Sequence, residues 1–273
     1  MASTLATTSS DRIEQRFNLL RSEGRKALVC YVTAGHPDTA RSIELLRGLE
    51  EAGTDIIEVG VPFSDPIADG PVIQQSSQEA LAAGMNLDKA LQLVSEAALG
   101  IPVVLFSYLN PLLAAGRDVL DRCHTAGVHG VLVTDLPLGA DRDLEEWLGA
   151  GPLDFIRLVA PTTPVERMRE IARTGSGFVY LISRLGVTGM RSDLPPDIEA
   201  TAARLREATT LPICIGFGIS EPSQARAVAQ VGDGVVVGSA IVKLAGTDVG
   251  SAIALAAALR VALDDLGGAA SQT

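Results

Sequence analysis

The chain has 273 residues, with 33 Asp and Glu against 22 Lys and Arg, a formal net charge of −11, 47% hydrophobic residues and 4% aromatic ones. The surplus of carboxylates argues against a broad nucleic-acid surface or an anionic membrane as partner. The hydrophobic content excludes a disordered, coiled-coil or collagen-like chain.

The opening MASTLATTSS has no basic region and no apolar core, so it reads as a fraying terminus and not as a signal peptide. No apolar run is long enough to predict a membrane span. Cys30, Cys123 and Cys214 form no Cys-x-x-Cys, and His36, His124 and His129 have no ligand spacing. Reduced thiols in a cytoplasmic protein are expected, and no metal site.

Short apolar runs then alternate with amphipathic stretches. The runs are ALVCYVT (27–33), DIIEVGV (55–61), PVVLFSY (102–108), GVLVTD (130–135), DFIRLVA (154–160), GFVYLIS (177–183), PICIGF (212–217) and DGVVVGS (233–239). They are nearly apolar on both faces, as strands of a parallel sheet covered by helices should be. Helical patterns occupy 38–52, 87–99, 118–126, 141–148, 165–174, 196–208, 221–231 and 249–266, with one more at 11–22 before the first strand. Gly53, Gly127, Gly175 and Gly232 fall where helices should end, and Ser220 fits an N-cap before Pro222. Eight strands, each followed by a helix, predict a single-domain TIM (β/α)8 barrel over 11–267, with an extra N-terminal helix capping its floor and flexible ends at 1–10 and 268–273. An open doubly wound sheet usually has fewer strands and a phosphate loop after the first; neither is visible.

A barrel keeps its chemistry at the C-terminal ends of its strands. In the second run Ile57, Val59 and Val61 share one face, which leaves Glu58 pointing into the barrel. A carboxylate there is either bonded to a neighbouring strand or desolvated and raised toward the acid–base range. The segment 61–74 is rich in proline and too long for a plain turn, and Asp65 and Asp69 are its polar points, as functional groups or as Asx-turn residues. The seventh and eighth runs end in Gly216-Phe217-Gly218 and Gly238-Ser239, followed by a short helical SAIVKLA. That arrangement fits a barrel phosphate site, with ordinary turn glycines as the alternative. The span from SRLGVTG (183–189) reads as a lid carrying Thr188, and Tyr31, Tyr108 and Tyr180 at strand ends fit a flat aromatic ligand or plain core packing.

The run EVGVPFSDPIADGP (58–71), with VTAG (32–35), SYLNP (107–111), TDLP (134–137), SRLGVTG and GFGIS (216–220), resembles the tryptophan synthase α-subunit family over nearly the whole chain. The resemblance implies a TIM barrel that cleaves indole-3-glycerol phosphate to indole and glyceraldehyde 3-phosphate without a cofactor. It casts Glu58 as the acid–base group and Asp69 as the partner of the indole N–H, with Thr188 contacting that Asp on closure. It assigns Tyr31, Ile73, Phe106, Leu132, Leu158 and Tyr180 to the indole pocket. The phosphate site falls on Gly189, Phe217, Gly218, Gly238 and Ser239. It also implies docking on a β subunit in an αββα complex for tryptophan synthesis, through Pro62, Asp65, Pro66, Asn110 and Pro137. Pyridoxal phosphate then belongs to that partner alone. Two residues depart from the pattern: His36, where Asp is common, and Cys30, where Pro is frequent. A relative acting alone and releasing free indole is the alternative reading.

Overall fold

A computed structural model describes residues 11–182, 196–216 and 218–269. Its elements are α1 (Asp11–Ser22), β1 (Ala27–Thr33), α2 (Thr39–Glu51), β2 (Ile56–Gly60), α3 (Pro71–Ala82), α4 (Leu87–Ala97), β3 (Val103–Ser107), α5 (Leu109–Ala115), α6 (Val119–Thr125), β4 (Gly130–Val133), α7 (Arg142–Gly149), β5 (Asp154–Val159), α8 (Val165–Arg173), β6 (Val179–Ile182), α9 (Pro196–Ala208), β7 (Ile213–Gly216), α10 (Pro222–Ala229), β8 (Gly234–Val237), α11 (Ser239–Ala245) and α12 (Val249–Ala269). The eight strands are parallel and close on themselves in chain order, β8 pairing with β1. This is the TIM barrel that the sequence predicts. Each apolar run forms a strand, trimmed at its ends where the backbone leaves the sheet.

Three local expectations need correction. The stretch 71–74 is not loop but the first turn of α3, because Pro71 supplies a helical φ at N1 behind Gly70. The short α5 was not foreseen. The N-cap of α10 is Glu221 and not Ser220: Gln224 Oε1 accepts both the Ser220 and the Glu221 N–H, at 2.9 and 3.2 Å. Of the expected helix-ending glycines, Gly53 and Gly127 have positive φ, whereas Gly175 and Gly232 do not.

Strand side chains alternate between two cores. Outward residues such as Leu28, Ile57, Leu105 and Val235 pack under the helices. Inward residues Ala27, Val29, Ile56, Val104, Leu132, Ile156, Cys214 and Val236 fill the barrel. From below, α1 inserts Ile13, Phe17 and Leu20 into that inner core, and Phe17 meets Phe178 with ring centroids 5.9 Å apart. The floor is locked by buried Asp55. Its carboxylate takes Arg16 of α1 at 2.6 Å, Arg260 of α12 at 2.8 Å and the Leu28 N–H at 2.8 Å. A buried charge is tolerated when it is paired and fully hydrogen-bonded in this way. Among the described residues, α1 thus covers the base of the barrel, and the cleft that reaches Glu58 lies at the strand C-termini.

If α1 closes the floor, Phe17→Ala opens a cavity under the barrel. The expected cost is about 3–5 kcal/mol in urea unfolding; a cost below about 1 kcal/mol would show that α1 is a passive appendage.

Candidate active site

Glu58 sits in the middle of β2, its Cα in register with Tyr31 of β1 and Val104 of β3. Its side chain is 1% exposed, and neither carboxyl oxygen has a hydrogen-bond partner among the described residues. The alternative of a Glu tied to a neighbouring strand is therefore not what the structure holds. Desolvation alone pushes the carboxyl up to about 8, since no nearby cation or donor stabilises the anion. Near neutrality the group is a protonated acid, facing an open cleft.

Asp69 stands on the loop between β2 and α3, half-buried over that cleft. Tyr108, just past β3, fixes it: the phenol donates to Asp69 Oδ2 at 3.1 Å and accepts the Ala68 N–H at 2.9 Å. Phe63, from the start of the same loop, packs on the Tyr108 ring with centroids 4.9 Å apart. Gln74 of α3 donates to the carbonyls of Pro66 and Asp69 at 3.3 and 2.9 Å. Burial raises the Asp69 carboxyl, and the hydrogen bond from Tyr108 opposes that rise. The other polar point of the loop, Asp65, is exposed; its carboxylate accepts the Ser64 hydroxyl at 2.6 Å and its carbonyl accepts the Ile67 N–H at 2.8 Å, as in a local turn.

The cleft has a volume of about 350 Å³ and brings together Glu58, Asp69, Tyr31, Ile73, Phe106, Leu158, Tyr180, Gly218, Gly238 and Ser239. Tyr31 meets Phe106 edge-on at 5.2 Å. Leu132 lies outside the cleft: it is fully buried in the inner core, and Thr134, two residues further along the chain, lines the cleft in its place. Sequence reasoning also missed Ala68, Gly70, Ile182 and Val236 as lining residues, while Gly216, expected in the strand-end glycine run, does line the cleft. The period of two along each strand could have found Thr134 and Val236 once the depth of the cleft was known. Tyr108 does not line the cleft but positions Asp69. Thr188, Gly189 and Phe217, with the span 183–195, lie outside the described residues.

Glycine at Gly60 and Gly216 has a steric cause. A Cβ built on either residue would overlap a phenol hydroxyl, that of Tyr31 at Gly60 and of Tyr180 at Gly216. Gly60 is two residues beyond Glu58 on the inward face of β2, so the Tyr31 hydroxyl lies on the cleft side of Glu58. At the β7 and β8 ends, Gly218 is exposed with φ +65, and a side chain there would meet nothing within 4 Å. Ser239 opens α11 at the cleft edge. Of the remaining expected surface residues, Asp65, Asn110 and Pro137 are exposed, Pro66 is half-buried and Pro62 is buried. Among the described residues no group of three or more His, Cys, Asp or Glu is placed to hold a metal ion, and no helix is long and apolar enough to cross a membrane.

A closed parallel barrel whose strand C-termini open on an aromatic cleft over a buried acid defines a TIM-barrel enzyme. The chain belongs to the tryptophan synthase alpha chain family, whose model matches residues 17–267. It is 47% identical over 235 residues to the tryptophan synthase alpha chain of Desulfatibacillum aliphaticivorans, covering 85% of this chain and 89% of that one. It is 50% identical over 232 residues to that of Synechocystis sp., covering 83% and 88%. Among solved structures, tryptophan synthase from M. tuberculosis superposes with a TM-score of 0.84 at 31% identity, over 92% of this chain and 98% of that one. The alpha subunit from Legionella pneumophila does so with a TM-score of 0.84 at 32% identity, over 93% and 98%.

The environment of Glu58 has a measurable consequence. Folded Glu58 keeps its proton up to about pH 8, whereas an unfolded Glu releases it near ~4.3. Folding takes up a proton between these limits, so the Glu58 contribution to stability is full below the lower limit and lost as pH rises through the upper one. Glu58→Gln lacks this slope. Its urea midpoint should gain on wild type steadily from about pH 5 to about pH 8; a difference constant with pH would contradict the buried, unpartnered carboxyl.

Proposed function

We propose that this chain is the α subunit of a tryptophan synthase, cleaving indole-3-glycerol phosphate to indole and glyceraldehyde 3-phosphate with Glu58 as acid–base catalyst and Asp69 as its electrostatic partner. The observation that carries the reading is the neutral, partnerless Glu58 carboxyl beneath an aromatic cleft rimmed by a second, tethered carboxylate.

The indole ring lies against Tyr31, Phe106, Ile73, Leu158 and Tyr180, an aromatic and aliphatic lining suited to a neutral heteroaromatic. Its N–H donates to Asp69. Glu58 gives its proton to indole C3, and the ring becomes a positively charged indolenine that the Asp69 anion stabilises in a cleft poor in competing dipoles. The Glu58 carboxylate so formed has no donor to stabilise it. It therefore takes the proton of the adjacent glycerol hydroxyl. The carbon–carbon bond breaks, its electron pair returns to the ring, and the hydroxyl carbon leaves as the aldehyde. Glu58 ends protonated, so the cycle balances without a cofactor on this chain. The phosphate is received by Gly218, Gly238 and Ser239 at the β7 and β8 ends, and by the expected Gly189 and Phe217.

A β subunit fits the exposed rim. The loop after β2 presents Asp65 and Ile67, the latter 85% exposed, and α5 presents Asn110 and Leu113. Docking there bears on the same loop that aims Asp69, which supports coupling of partner binding to turnover.

Indole release should be slow for the chain alone and rise at least tenfold with a cognate β subunit, on the order of a typical coupling energy. Glu58→Gln should lower cleavage by about 100-fold or more while substrate affinity stays within a few-fold, because proton transfer is lost and size is kept. Near-normal turnover in that variant would overturn the acid–base assignment. Fast release indifferent to β would make the chain a free-standing indole producer.

A further inference from the structure

Three carboxylates among the described residues are buried: Asp55, Glu58 and Asp154. Asp55 locks the floor, and Glu58 faces the active-site cleft. Asp154 does neither. It opens β5 at the opposite end of the barrel from that cleft and is 3% exposed. Among the described residues its Oδ2 has no hydrogen-bond partner, and no cation pairs with it. The chain nevertheless makes room for this carboxyl. Gly177 has φ +71, and a Cβ there would lie 3.1 and 3.3 Å from the Asp154 Cβ and Cγ. Burial pushes the carboxyl up to about 6; Ser176 opposes the rise, and Glu14 and Asp11 add to it. At neutral pH Asp154 is therefore mostly an anion, buried without a counter-charge, which is a costly arrangement.

Asp154 is not sealed in. It lines a cavity of about 550 Å³ between α1, the start of β5 and the segments that lead into β6 and β7. From α1 the cavity is faced by Asp11, Glu14, Asn18 and Arg21, which share one side of the helix at spacings of three and four. Arg21 donates to Asn18 Oδ1 at 3.1 Å, along its own helix. Three carboxylates thus face the cavity against one guanidinium. Phe17, Leu153, Leu211 and Pro212 add apolar wall. A cavity of this size suits a small molecule, and among the described residues no cluster of three or more His, Cys, Asp or Glu is placed to hold a metal ion. Anionic and apolar walls together match an aliphatic chain that carries ammonium groups.

We propose that the cavity at the base of the barrel is a binding site for an organic cation, an aliphatic diamine with one ammonium on Asp154 and the other toward the acidic first turn of α1. The ligand supplies the counter-charge that the chain itself withholds from Asp154, while its methylenes lie on the apolar wall. The site is remote from Glu58, and the inference does not depend on the lyase reading.

The test is titration calorimetry of the full chain at pH 7 and low salt with 1,4-diaminobutane, set against 1,4-butanediol, which has the same carbon chain and no charge. The diamine is expected to bind and the diol to give no heat of binding. Asp154→Asn keeps the size and removes the charge, and it is expected to weaken the diamine about tenfold or more. Glu14→Gln, on an exposed helix face, should weaken it about two- to fivefold. Wild-type affinity should rise severalfold from pH 5 to pH 7, because the amines stay charged while Asp154 loses its proton. Urea unfolding checks that Asp154→Asn is folded; should it not be, Glu14→Gln and the pH series decide. No binding of the diamine, equal binding of the diol, an affinity unchanged in the folded Asp154→Asn chain or a flat pH profile would each overturn the proposal.

Discussion

A carboxyl group in the interior of a packed barrel must be paired, neutral or exposed to water, and Glu58 is held in the second state. Almost every other feature of the fold serves that condition. Pairing is denied because the neighbours of Glu58 in register are Tyr31 and Val104. Water from below is denied because α1 plugs the floor with Ile13, Phe17 and Leu20, locked by the bonds of Asp55 to Arg16 and Arg260. Among the described residues the approach to Glu58 is from the strand C-termini, through a cleft lined by rings. Two of the three buried carboxylates among the described residues contrast directly: Asp55 has two guanidinium partners and a backbone donor, whereas Glu58 has neither cation nor donor, as the proposed chemistry requires.

The second carboxylate is held by different means. Asp69 lies on a loop, where conformational freedom would cost aim. Proline content stiffens the loop, Phe63 stacks it on Tyr108, the Tyr108 hydroxyl bridges the Ala68 N–H and the Asp69 carboxylate, and Gln74 ties the loop back to α3. The rim that the loop presents outward, where Ile67 is exposed, is thus mechanically continuous with the Asp69 carboxylate that we propose receives the indole N–H. The proposed partner, docking on the rim, would act on the aim of Asp69 without touching it.

The strands and their closure were legible because a parallel sheet covered on both sides demands apolar runs, and eight of these alternate with helical patterns. Glu58 was legible as an inward carboxylate from the period of two, but its lack of a partner was not, since that depends on what neighbouring strands place opposite it. The start of α3 was hidden by its own proline: Pro71 reads as loop next to Pro62 and Pro66, although Pro at the first helical position favours a helix. Family resemblance identifies the strand of Leu132, but its depth in the inner core, below Thr134 at the cleft, is a property of the whole barrel. The role of Tyr108 joins residues 39 apart in the chain, and the overlap of Tyr31 with Gly60 joins two strands; no local pattern announces either.

The central claim is that Glu58 is a protonated acid at neutral pH because its carboxyl is desolvated and has no hydrogen-bond partner among the described residues. It can be read directly by infrared difference spectroscopy as the carbonyl stretch of a protonated carboxyl, comparing the chain with Glu58→Gln across a pH titration. The account predicts a protonated-carboxyl band that is present near neutrality, disappears with a midpoint at about pH 8, and is missing from the variant. An ionised carboxylate already at pH 6, well within the ordinary range of a solvated Glu at about 4.3, would contradict it.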